Sequence, residues 1–112
     1  MANKPYEPTC AMTQEREAMI LEAAIAKHGT VPQVIVAIEE QAELIKAICK
    51  YLRHTLCGQY DKTSVLASMS EERADVSIML NQLDLILGDN VEKEIEKLER
   101  LEKRVMADVV SL

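Results

Sequence analysis

The sequence predicts an all-α protein: a four-helix antiparallel bundle that assembles as a homodimer or homotetramer. Three observations carry this. Apolar residues recur at alternating steps of three and four along most of the chain. Aromatics are scarce, with three Tyr, no Trp and no Phe, so packing rests on Leu, Ile, Val, Ala and Met, which suits helix against helix. Three Gly and three Pro leave too few turns for a many-stranded sheet. The 112 residues favour one domain with a modest core, and a 48% hydrophobic content argues for a folded chain.

Residues 1–12 contain Pro5 and Pro8 and no helical period; they read as a loose N-terminal arm before a domain over 13–112. A first helix is expected from about Thr13 to Lys27, carrying Met19, Ile20, Ala23 and Ala24, and closed by Gly29. Thr30 is a candidate cap for the next helix, and Pro32 is tolerated in its first turn. That second helix is expected over about Val31 to Thr55. Its apolar stripe is Ile35, Ile38, Ala42, Ile45, Cys49, Leu52 and Leu56.

Gly58 to Lys62 reads as a loop, and a third helix follows over about Thr63 to Leu87. Its stripe is Leu66, Met69, Val76, Leu80, Leu83 and Leu87, with Ala74, Ile78, Leu85 and Ile86 on other faces. A helix apolar on several sides is buried on several sides. Gly88 stops it, and Asp89 with Glu92 reads as a capping box opening a fourth helix. Val91, Ile95, Leu98, Val105 and Val109 form the last stripe. Surplus apolar surface on the third and fourth helices of so short a chain points to self-association.

The net charge of −6 disfavours a nucleic-acid polymer as partner, because phosphate neutralisation needs a basic surface. Cys10, Cys49 and Cys57 form an odd, widely spaced set without CxxC, which reads as reduced thiols in a cytoplasmic protein. Neither a signal peptide nor an apolar run of about 18 residues is expected, so no membrane association is predicted.

The stretch IEEQAELIKAICKYLR crowds Glu39, Glu40 and Glu43 together. Glu40 and Glu43 lie about 60° apart around a helix and almost opposite the Ile38, Ile45 and Leu52 stripe. Val36, Ala47 and Lys50 frame them, so this side is not a simple solvated face. The third helix repeats the device in SEERADVSIML, with Glu72 and Asp75 also three apart. Joined by a short loop, the two helices can fold back so that Glu40, Glu43, Glu72 and Asp75 meet. Four carboxylates together repel and raise one another's pKa unless a cation intervenes. Oxygen-only ligands favour Mg²⁺ or Mn²⁺. Against this stands the plain reading: a single ExxE on a helix is ordinarily solvated, and only the pairing on successive helices sets this one apart.

The order EExxE then ExxD on consecutive helices resembles the MazG-like nucleoside triphosphate pyrophosphohydrolases. Here it reads Glu39-Glu40-Gln41-Ala42-Glu43 and then Glu72-Arg73-Ala74-Asp75, and the resemblance spans about Glu15 to Arg104. It implies hydrolysis of a nucleoside triphosphate, or its deoxy form, to the monophosphate and pyrophosphate, a house-cleaning activity on the nucleotide pool. It implies Glu40, Glu43, Glu72 and Asp75 as Mg²⁺ ligands. Glu43 and Glu39 would be catalytic, Glu39 matching the family's additional acid, which binds a second ion or orients the attacking water. Mg²⁺ chemistry fits such a role, since it offsets phosphate charge and lowers the pKa of water, and a nearby carboxylate can take the proton.

Lys46, Lys50 and Arg53 are candidates for the triphosphate, although plain pairing of Glu43 with Lys46 at i,i+3, or with Lys50 two turns on, is the alternative. Lys97, Arg100 and Arg104 read as a solvated face or interface pairs. Tyr51 or Tyr60 could stack on a base, Tyr51 lying on the side of the acids, and Asn81 or Gln82 could hydrogen-bond a base edge, with packing the alternative for Asn81. His28 and His54 are single and outside any ExxH, which disfavours a di-iron bundle. The rival functions are a non-catalytic nucleotide-binding or scaffold member of the same fold, and a structural helical dimer with an acidic surface.

Overall fold

The computed structural model describes residues 11–110, with side chains through residue 107. The expected arm therefore lies outside the described residues except for Ala11 and Met12, as do Cys10 and the side chain of Val109. Among the described residues the order is α1 (Gln14–His28), α2 (Thr30–Cys57), α3 (Lys62–Leu87) and α4 (Val91–Val110), with no strand.

Local chemistry explains most boundaries. The Thr13 hydroxyl accepts from the Arg16 N–H at 3.1 Å and opens α1. Gly29, at φ +90°, separates α1 from α2, and its N–H donates to the Ile25 carbonyl at 2.8 Å. Thr30 is the first residue of α2 rather than its cap, and Gly29 occupies the cap position without a side-chain bond. At the far end α2 runs two residues beyond expectation, to Cys57. Gly58 then takes a left-handed conformation (φ 61°, ψ 26°) that other residues adopt at a cost. Asp61 Oδ2 accepts from the Ser64 N–H at 2.9 Å and starts α3 one residue earlier than expected. Asp89 Oδ1 accepts from the Val91 N–H at 3.3 Å, but α4 begins at Val91, so Asp89 precedes the first turn and the expected reciprocal box with Glu92 is not formed.

α2 and α3 form the main antiparallel hairpin, and α1 packs on both. α4 makes no close approach to the other three helices. The chain is accordingly extended: its radius of gyration is 19.2 Å over 69 × 39 × 31 Å, against about 13 Å for a compact domain of this length. Three helices pack within the chain, not four. An apolar stripe on α4 says that the helix needs cover, not which helix supplies it.

The buried face of α2 also differs from the expected one. Leu21, Ala37, Ala47, Val65, Val76 and Met79 form the core, with Gln33 and Gln82 buried among polar residues. The expected α2 stripe points outward: Ile35, Ile38, Ala42, Ile45, Cys49, Leu52 and Leu56 are all exposed. On α3 the buried face is turned from the expected stripe, leaving Leu66, Leu80 and Leu87 exposed, and on α1 Leu21 is buried while Met19 and Ile20 are not. The physical reason is size. Periodicity is dominated by large side chains, whereas the hairpin closes along a face of α2 carrying Ala37, Glu40 and Ala47, whose small residues allow close approach.

Candidate functional site

That inward face brings acids together. Carboxylate oxygens of Glu40 from α2 and of Glu72 and Asp75 from α3 all lie within 4.8 Å of one another. Glu40 and Glu72 are half-buried and Asp75 is exposed. Partial burial raises the Glu40 carboxyl above its ordinary range, and the charges of Asp75, Glu72, Glu43 and Glu39, in that order, push the same way. No lysine or arginine among the described residues is ion-paired with these three acids; the ion pairs there are Lys93–Glu96 at 2.8 Å and Arg100–Glu96 at 3.3 Å, both within α4. The alternative pairing of Glu43 with Lys46 or Lys50 is likewise not formed.

Of the four acids expected to converge, three do. Glu43 is exposed and outside the three-carboxylate group, because it is rotated about 60° from Glu40 toward the shoulder of the helix. Glu39 is exposed, about 100° from Glu40 around α2. Lys46 is exposed and turned about 120° from Glu40; Lys50 is half-buried and turned about 80°.

Arg53 is committed elsewhere. Its Nη1 donates to the Tyr60 hydroxyl at 3.4 Å, and that bond raises the guanidinium above its ordinary value. His54 Nδ1 lies 2.6 Å from the Tyr60 carbonyl oxygen, so Arg53 and His54 together fasten the α2–α3 turn. Tyr51 borders a shallow concavity of about 330 Å³ with His54, Lys62 and Val65. It lies on the acid side of α2 but roughly 16 Å along the axis from Glu40. Asn81 faces the other way, about 180° from Glu72 around α3, and donates from Nδ2 to Glu17 Oε1 on α1 at 2.7 Å. Its expected role at a base edge is replaced by a tie between α1 and α3. Glu17 and Tyr60 are the partners that sequence reasoning missed; neither stands in a motif, and each is recognisable only from the packing.

The three converging groups offer oxygen ligands alone, from two helices. This donor set suits a hard dication. Compared with known proteins, the chain matches no family model, no curated protein and no solved structure.

Proposed function

We propose that this chain is a Mg²⁺-dependent nucleoside triphosphate pyrophosphohydrolase of the MazG-like kind, acting as a homo-oligomer, with Mn²⁺ as a substitute ion. The single observation that supports it most is the meeting of Glu40, Glu72 and Asp75 carboxylates within 4.8 Å across the α2–α3 hairpin. Three acids held that close, with no lysine or arginine of the described residues ion-paired to them, cost stability unless something positive enters. The order of the acids along the chain agrees with the resemblance drawn from the sequence.

In this reading Glu40, Glu72 and Asp75 hold the ion. When bound, Mg²⁺ supplies charge for the phosphate oxygens and acidity to water. Glu43, one turn along α2 and free of the ligand group, takes the proton from the attacking water. Lys50, half-buried, nearer to the acid face by rotation than Lys46 or Arg53 and about 15 Å along the axis from Glu40, draws the far end of the phosphate tail. Nucleotide binding without hydrolysis is the second reading, since the three-carboxylate group is enough to hold an ion whether or not a base acts beside it.

The test is a panel of common and modified nucleoside triphosphates, with and without Mg²⁺, monitored for pyrophosphate. Release that requires the ion supports the enzyme. A rise in Tm with Mg²⁺ and nucleotide, but no pyrophosphate from any substrate, selects the binding reading. No response to Mg²⁺ or Mn²⁺ in either assay overturns both.

A further inference from the structure

The outward face of α2 carries a pattern that the carboxylate site does not use. Val31, Ile35, Ile38, Ala42, Ile45, Cys49, Leu52 and Leu56 follow one another at alternating steps of four and three, the spacing of a coiled-coil seam. All eight are exposed; Val31 is 70%, Ile45 63% and Leu56 80% accessible. Among the described residues nothing covers them: α1 and α3, which pack on α2, leave all eight exposed, and α4 does not approach α2.

We propose that this seam is covered by α2 of a second copy, running antiparallel. The inference rests on the homo-oligomer part of the proposed function and not on catalysis. Two observations carry it. The seam is self-complementary: set antiparallel, Val31 meets the second copy's Leu56, Ile35 its Leu52, Ile38 its Cys49 and Ala42 its Ile45, and the twofold axis repeats each pair. Every layer is apolar, and the small Ala42 and Cys49 each face an isoleucine, so the layers interdigitate.

The flank is complementary as well. Glu39, Lys46 and Arg53 line one edge of the seam at seven-residue spacing. The same register brings Glu39 against the second copy's Lys46, twice by symmetry.

α4 is a poorer occupant. Its stripe, Val91, Ile95, Leu98 and Val105, carries Glu102 in line at the same spacing. On the α2 seam that carboxylate would face a valine, isoleucine or leucine, and an unpaired buried charge is costly.

The test uses the full chain. Sedimentation should find a dimer or an even-numbered oligomer at micromolar concentration. In a Cys10→Ser, Cys57→Ser background, Ile38→Cys should oxidise to a disulfide with native Cys49 of the other copy, identified by peptide mapping. Lys46→Glu sets like charges face to face and should raise the dissociation constant roughly 2- to 30-fold; adding Glu39→Lys should restore it to within about two-fold.

A monomer at the highest attainable concentration overturns the oligomer and the interface together. An oligomer that gives a 38–38 disulfide, a 49–49 disulfide or none overturns the interface alone. So does a charge-reversed pair that fails to restore association.

Discussion

Glu40 on α2 and Asp75 on α3 present carboxylate oxygens within 4.8 Å of each other, and a Glu72 oxygen lies within the same distance of both. Like charges so placed weaken the fold that holds them, and a dication reverses the sign. Glu40→Gln should therefore stabilise the ion-free protein and abolish its response to Mg²⁺. In EDTA at neutral pH the variant should melt above the wild type. A ten-fold excess of Mg²⁺ over its dissociation constant should lift only the wild type, by about 1.4 kcal/mol or roughly 5 °C or more. Equal Mg²⁺ responses in the two proteins would remove Glu40 from the site.

The same residue sets a pH dependence. Glu40 titrates above its ordinary value of 4.5, chiefly through burial and then through Asp75 and Glu72. Between the ordinary and the raised value the folded state binds more protons than the unfolded one, so stability falls as pH rises through that window. The penalty is complete above the raised value and is relieved as pH falls toward 4.5. Melting curves in EDTA should thus show Glu40→Gln most ahead of the wild type at pH 7, the gap closing as the wild-type carboxyl protonates. A gap that widens on acidification would contradict this assignment of the shift.

How far the sequence reached is best judged on α2. Its helical character, its closing glycines and the meeting of α2 with α3 through their acids follow from residue spacing, because turn chemistry and helix period are local. The inward face does not follow. Ile38, Ile45 and Leu52 outweigh Ala37 and Ala47 in any hydropathy pattern, yet the small residues line the hairpin and the large ones face outward. Periodicity registers how apolar a face is, not which neighbour takes it, and a chain with two apolar faces on one helix has no single answer. For the same reason α4 reads as a bundle member from its stripe and stands apart in the structure. Asn81 and Arg53 illustrate the other gap. Their partners, Glu17 and Tyr60, come from different turns of the fold and leave no mark at helical spacing.

Gln82 supplies a prediction about stability alone. It is 2% exposed, its Nε2 donates a long 3.4 Å bond to the Leu21 carbonyl, and its Oε1 has no partner among the described residues. An unmet buried acceptor costs about 1–3 kcal/mol, more than a weak hydrogen bond returns. Gln82→Met keeps the length of the side chain and removes the orphan, so Tm should rise by a few degrees. A lowered Tm would mean that Oε1 is satisfied in solution and that the amide anchors α1 to α3.

Glu43 separates holding an ion from using it. It lies on α2 one turn beyond Glu40 and outside the group formed with Glu72 and Asp75. If it takes a proton from water, as proposed, Glu43→Gln should leave the Mg²⁺-induced rise in Tm largely intact while reducing pyrophosphate release about 10²- to 10⁴-fold, the usual range for losing a general base. The amide keeps the size of the side chain, so folding should be unaffected, which circular dichroism would verify. If instead Glu43 completes the ligand set, both readouts should fall together, the Tm response shrinking with the rate. Retained turnover at the wild-type rate would discard Glu43 from the chemistry and leave Glu39, on the flank of the same helix, as the remaining acid of the motif to test.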